Sequence, residues 1–320
     1  MEQASTEQKR EDFIVIALGV LLSYIAYLFI MKQIDLSLGD YGAHIYSILS
    51  LFTKDTWLQG WKAAPYCMWH LCVLFLNHML HIPLEASAAY AGSFFYLVSY
   101  FILYWMIRRY LAARKISVSV PTASLISFGL SIAQSLYFYW LDTGDRYLGT
   151  FSMTPLHSPS QTCVRPFMLL CFCMVCDIWG KQKDDGYQGV FFHVEKGLKK
   201  YYIHLAILLF LSSLAKPVFA EMFIPSVGLV MLIEWLLRIR QKDGSAQPYF
   251  THCLTTLLCA VPTLLSILVQ SLAFFVSAEP EFNRGVIITK WMEVWNMFSE
   301  NILVSIALGM AFLLFIVLIY

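Results

Sequence analysis

Charge is what this sequence most lacks. Only 13% of its 320 residues are Asp, Glu, Lys or Arg, while 59% are hydrophobic. A soluble domain carries about a quarter charged residues, so a water-facing surface cannot be covered and a soluble globular protein is excluded. The net charge of +1 lacks the basic excess of a nucleic-acid surface, and no nucleic-acid partner is expected. Internal repeats, heptad arrays, glycine-rich phosphate loops and low-complexity tracts are missing as well, which removes solenoids, coiled coils and P-loop nucleotide binding.

A disulfide framework is also missing. Of the eight cysteines, Cys171, Cys173 and Cys176 fall in an apolar helix with no carboxylate or histidine among them, so they read as small hydrophobic packing rather than a metal site. Only Cys163 falls in a predicted outer loop.

What is present is a series of apolar runs long enough to cross a hydrocarbon core of about 30 Å. They cover Phe13 to Met31, Ala64 to Leu84, Ala86 to Ile107, Val120 to Trp140, Pro166 to Gly180, Tyr201 to Leu214, Val218 to Leu237, Thr251 to Val276 and Asn301 to Tyr320. The expected fold is an all-α polytopic transmembrane helical bundle of about nine spans, forming one domain over residues 1–320. The first run is too long for a cleavable signal and no small-residue cleavage site follows it before Lys32, so it reads as an anchor.

Basic residues set the expected orientation. With the N-terminus cytoplasmic, Lys9, Arg10, Arg108, Arg109, Arg114, Lys115, Lys181, Lys183, Lys196, Lys199, Lys200, Arg238, Arg240 and Lys242 fall inside. Lys32, Lys54, Lys62, Arg146, Arg165, Lys216, Arg284 and Lys290 fall outside. The denser set is inside. Basic residues on the outer face run against insertion preference, which makes them candidates for holding a ligand.

The first outer loop opens on Asp35 and Asp40, followed by Ile45, Ile48, Leu49 and Phe52 at i, i+3, i+4 and i+7. That spacing is one apolar stripe of a short amphipathic helix lying along the membrane surface, with His44, Ser47 and Lys54 off the stripe. Asp40 then reads two ways, as the N-cap of this helix or as a general base with His44 one turn on. The second outer loop holds Asp145, Arg146 and His157 and ends on Arg165, directly before Pro166. Proline suits a first helical turn, and an arginine at a helix N-terminus opposes the dipole unless an anion sits there; the alternative is an arginine snorkelling to lipid phosphates. Ser212 to Glu221 places Lys216 and Glu221 between two apolar helices, where ionisable residues are costly and carry a function or pair with one another. Glu234 and Arg238, at i and i+4, read as an ordinary helix-surface pair. His70, His78 and His81 share one side of the second span but lie toward its cytoplasmic end, so no metal site is expected there.

Taken together, the acidic outer loop, the surface helix, Ala64-Pro65-Tyr66 before the second span and Arg108-Arg109 ending the third resemble the start of bacterial C-type (GT-C) membrane glycosyltransferases. Thr154-Pro155 through Arg165-Pro166-Phe167 and Ala215-Lys216-Pro217 resemble later segments of such proteins. The resemblance implies inverting transfer of a sugar from a polyprenyl-phosphate donor to a glycan, lipid or protein acceptor on the outer face of the cell membrane. In that reading Asp40 is the base, assisted by His44, and Arg165, Lys216, His157 and Arg146 hold the donor phosphate. Glu221 and Asp145 are the reserve acids. Relatives of this type can carry a divalent metal, but the outer loops hold no carboxylate cluster to bind one and no cofactor is predicted. The sequence departs from the pattern in two respects: Asp40 is not part of an adjacent acidic pair, and larger members carry further helices. Two rivals stay open, a transporter or flippase for a lipid-linked or anionic solute and a non-catalytic membrane subunit.

Overall fold

The computed structural model describes residues 2–36, 40–53, 66–132, 158–184, 186–194, 197–241, 244 and 246–276. Every regular element among them is helical: α1 (Glu2–Asp35), α2 (Tyr41–Thr53), α3 (Met68–Leu80), α4 (Leu84–Ala113), α5 (Val120–Ile132), α6 (Pro159–Lys183), α7 (Lys199–Ala215), α8 (Pro217–Gln241), α9 (Ala246–Cys259) and α10 (Val261–Val276).

Among the described residues, five stretches are long and apolar enough to cross a membrane: Lys9–Asp35, Leu84–Ala113, Pro159–Lys183, Pro217–Gln241 and Ala246–Leu272. The last joins α9 to α10, because the Leu264 N–H donates to the Ala260 carbonyl at 2.9 Å and carries the bonding through the junction. A count of nine spans is not reproduced. The expected ninth, Asn301 to Tyr320, lies outside the described residues, and the expected fourth is described only to Ile132.

The expected second span needs correction. At about 1.5 Å per residue the 13 residues of α3 reach only about 20 Å, short of a hydrocarbon core. Helix direction agrees. The Tyr100 hydroxyl donates to the Val15 carbonyl at 3.1 Å, the Ser23 hydroxyl to the Ser93 carbonyl at 3.3 Å, and the Tyr27 and Tyr90 rings lie 4.8 Å apart. So α4 runs antiparallel to α1 and starts beside the end of α1 that carries Asp35. The α3 helix begins on α2 and finishes three residues before α4, so both its ends belong to the Asp40 end of the bundle. His78 and His81 are therefore at that end too, not across the membrane from Asp40. With α3 removed from the crossing count, Arg108 falls at the same end as Glu11 and Asp12, all three acting on Tyr104.

Helix α4 is central, with α1, α3, α5 and α6 packed around it, and α6 bridges to α7, which in turn packs against α8, α9 and α10. Small residues let the helices approach: Ser87, Ala88, Ala89, Ala91 and Gly92 are buried along the first turns of α4, and Ser212, Ser213 and Ala215 close α7. Away from these contacts the surface is apolar. Phe13, Tyr24, Met222, Leu229 and Leu265 are all exposed, a surface that water solvates poorly and lipid solvates well.

Candidate functional site

The site is built on the start of α2. Tyr41 is fully buried, its ring edge-on to Trp69 at 5.9 Å. Gly92 on α4 makes room for it, since a Cβ there would meet the Tyr41 hydroxyl at 3.2 Å and the Ile30 Cδ1 at 2.5 Å. Ile45 and Ile48 are buried beside Tyr41. The buried face of α2 is therefore Tyr41, Ile45 and Ile48, and Leu49, expected on that face, is half exposed. Docking Tyr41 fixes Asp40 immediately before the helix, where its carbonyl accepts the His44 N–H at 3.0 Å.

Lys216 reaches the same place from the far side of the chain. It is the single residue between α7 and α8, held extended at φ −162°, with its N–H donating to the Ser212 carbonyl. Pro217 then opens α8, a position where the missing N–H costs nothing. A cation at the C-terminus of α7 also complements that helix's dipole. Burial lowers the Lys216 pKa from its ordinary value and Asp40 opposes the shift. Burial pulls the His44 pKa down to about 4, with Asp40 raising it and Lys216 lowering it. Asp40 and Lys216 thus lie within electrostatic range of His44 and of one another, and near neutral pH the His44 imidazole is uncharged.

His44 is fixed by its ring neighbours. Its Nδ1 lies 3.0 Å from Nε2 of His70, and it meets Trp69 and Tyr66 edge-on at 5.8 and 6.2 Å between centroids. His70, on α3, is buried. Sequence reasoning grouped His70 with His78 and His81 because they share a helix. Nothing in the sequence links His70 to His44, 26 positions away; the fold alone brings their rings together.

Arg165 is placed differently from the expectation. Helix α6 starts at Pro159, with Ser158 before it, so Arg165 stands in its second turn and the argument for an anion at a helix terminus has no footing. Its guanidinium donates to the carbonyls of Ser131 at 2.9 Å and Leu130 at 3.0 Å and packs over the Tyr96 ring at 5.5 Å. Those contacts brace α6 against α5 and α4. Cys163, expected in a loop, is buried in α6, and all eight cysteines are free thiols. Glu221 is exposed on the first turns of α8. His157, Arg146 and Asp145 lie outside the described residues.

A second charged cluster sits at the other end of the bundle. Glu234 accepts from Trp179 Nε1 at 2.5 Å, from Tyr249 at 3.1 Å and from Arg238 at 3.1 Å, with Lys183 at 3.4 Å. It lines a shallow cleft of about 540 Å³ between α6 and α8. The expected simple helix-surface pair is therefore the centre of a brace among α6, α8 and α9. Its carboxylate is already met by four donors.

Among the described residues, no group of three or more His, Cys, Asp or Glu side chains is arranged to hold a metal ion. Comparison with known protein families, with curated proteins and with solved structures found no match.

Proposed function

We propose that the chain is an integral membrane glycosyltransferase with a cytoplasmic N-terminus, transferring a sugar from a polyprenyl-phosphate donor to an acceptor hydroxyl on the outer face. One observation carries this reading: Ala215, the neighbour of Lys216, packs in the same buried cluster as Tyr41 and Ile45 of α2, which brings Asp40 and Lys216, from opposite parts of the chain, within electrostatic range of His44. A general base and a phosphate-binding cation are the two groups such a transfer needs.

In the proposed reaction the acceptor oxygen attacks the anomeric carbon as its proton passes to the Asp40 carboxylate. The bond from that carbon to the phosphate oxygen breaks on the opposite face, which inverts the centre. The leaving phosphate gains charge as the bond breaks, and the Lys216 ammonium stabilises it more strongly in the transition state than in the bound donor. Neutral His44 offers an uncharged ring nitrogen to the same group. Arg165 and its partners on α5 have no part in this scheme.

The orientation draws support from charge. Lys9, Arg10, Arg108, Arg109, Arg114, Lys115, Lys181, Lys183, Lys199, Lys200, Arg238 and Arg240 all belong to the end of the bundle opposite Asp40, which the positive-inside bias assigns to the cytoplasm.

The test is transfer of labelled sugar from polyprenyl phosphate to a crude membrane acceptor fraction. Asn caps a helix about as well as Asp, so Asp40→Asn is expected to fold normally yet to lose about 100-fold or more in turnover. Lys216→Ala is expected to weaken donor binding as well as turnover. Full activity in Asp40→Asn reduces that residue to a cap. No transfer by wild type from any polyprenyl sugar overturns the reading and favours a transporter.

A further inference from the structure

We infer that His70 is a positioning residue that holds His44 in one ring orientation and one tautomer, so that only the Nε2 of His44 is left for a ligand. The inference deepens the proposed reaction and rests on it for its kinetic arm.

The geometry is specific. The contact joins Nδ1 of His44 to Nε2 of His70 at 3.0 Å, with the rings tilted by 33° and their centroids 5.0 Å apart. Two neutral imidazoles can share only one hydrogen across such a contact, so the tautomer of one fixes the tautomer of the other. The two rings come from different elements, α2 and α3, and the α3 partner is the buried one. His70 is 1% exposed and its neighbour Trp69, also 1% exposed, packs edge-on against both His44 and His70. His44, by contrast, is partly exposed at the end of the bundle. A buried imidazole thus pairs with a partly exposed one that neighbours Asp40 and Lys216. The titratable groups facing His44 are Asp40 on its own segment, His70 and Tyr66 from α3 and its approach, and Lys216 from the α7–α8 junction.

An orienting partner matters because a misplaced or wrongly protonated imidazole loses its hydrogen bond to the reacting group even when the fold is intact. Misplacing a reacting group by about 1 Å can cost about 100-fold in activity.

The test uses the full chain in lipid nanodiscs with His70→Gln, His70→Asn and His70→Phe. A glutamine amide reaches the position of Nε2 and keeps the contact. Asparagine falls short, and phenylalanine keeps the ring without a nitrogen. Imidazole ¹⁵N shifts, with His44 assigned by its loss in His44→Gln, are expected to show one neutral tautomer in wild type and a mixture in His70→Phe and His70→Asn. Turnover is expected to fall by up to about 100-fold in His70→Phe with donor KM changed less than about 3-fold, and to recover in His70→Gln. A single unchanged His44 tautomer in His70→Phe overturns the inference. So does His70→Gln as impaired as His70→Phe at equal thermal stability, which makes the role one of packing. Absence of transfer by wild type removes the proposed reaction alone, and the ¹⁵N measurement still decides the role of His70.

Discussion

The carboxylate of Asp177, buried near the end of α6, accepts the hydroxyl of Tyr187 at 2.7 Å. The same two oxygens accept the backbone N–H groups of Val190 at 2.7 Å, Phe191 at 2.9 Å and Phe192 at 2.6 Å. One side chain thus closes the loop that follows α6, and Trp105 of α4 packs on that loop through Phe191 and Phe192. Asp177→Asn replaces one acceptor oxygen with a donor facing other donors, which leaves buried N–H groups unmatched at a cost of about 1–3 kcal/mol. Hydrogen exchange is expected to speed at Val190, Phe191 and Phe192 while amides at the start of α2 stay protected. Unchanged exchange in the loop removes the clamp.

Gly180 lies under the same tyrosine. A Cβ at that position would stand 2.5 Å from the Tyr187 ring, and the ring carries the hydroxyl that Asp177 accepts. Gly180→Ala is therefore expected to lower thermal stability by about 1–3 kcal/mol. Tyr187→Phe and Gly180→Ala disturb one contact, so their combined cost should be less than the sum of the two. Additive effects in the double variant show that the alanine methyl is accommodated elsewhere.

The sequence shows some of these relationships and hides others, for identifiable reasons. Helices α1, α4, α6 and α8 are legible because each is a long apolar run with charge at its ends. The Ala64 to Leu84 run is equally apolar, yet what stops α3 from crossing is the antiparallel pairing of α4 with α1, which depends on contacts such as Tyr100 to Val15 that no hydropathy average contains. Prolines misled at Arg165. Pro159 and Pro166 both suit a first turn, and only the earlier one serves. Lys216 and Asp40 are legible as ionisable residues beside apolar segments, and Asp177 carries the same signal unread. Tyr41 and His70 are not legible. The gap that admits Tyr41 is Gly92 on another helix, and His70 acquires its meaning from His44 on an element with no sequence pattern linking the two.

Arg165 gives a prediction that separates a brace from a phosphate ligand. Its donors are committed to the Ser131 and Leu130 carbonyls. Arg165→Gln is expected to lower the thermal midpoint in detergent, because removing a charged hydrogen-bond donor from buried carbonyls costs about 1–3 kcal/mol. The folded fraction should keep the wild-type KM for a polyprenyl-phosphate donor. A large rise in that KM with normal stability returns Arg165 to the ligand-binding residues.

Stability should depend on pH through His44. Its folded pKa of about 4 lies below the ordinary value of 6.5, so between those limits the unfolded chain takes up a proton that the folded chain does not. The sign follows from linkage: stability is intact above about pH 6.5 and is lost as the pH falls toward 4. The shift corresponds to about 3 kcal/mol at most, and solvent screening at a partly exposed ring reduces it. Thermal midpoints measured from pH 7.5 to 4.5 should fall, and His44→Gln should flatten part of that fall. An identical slope in the variant assigns the pH dependence to other groups.

The direction of the chain across the membrane tests the proposed outer-face site most directly. Tyr46 on α2 is 71% exposed and belongs to the Asp40 end, whereas Arg114 is exposed just past α4 at the end with Lys9 and Arg10. Cys67, Cys72 and Cys176 are only partly buried, so Cys67→Ser, Cys72→Ser and Cys176→Ser supply the background. In intact cells an impermeant maleimide is expected to modify Tyr46→Cys and to spare Arg114→Cys until the membrane is permeabilised. The expectation rests on the basic residues gathered at the Arg114 end, each of which opposes translocation. The reverse labelling puts Asp40, His44 and Lys216 on the cytoplasmic face. A polyprenyl-phosphate sugar presented from outside could not then reach them, and the donor proposed here would have to be replaced by one made and held on the inner leaflet.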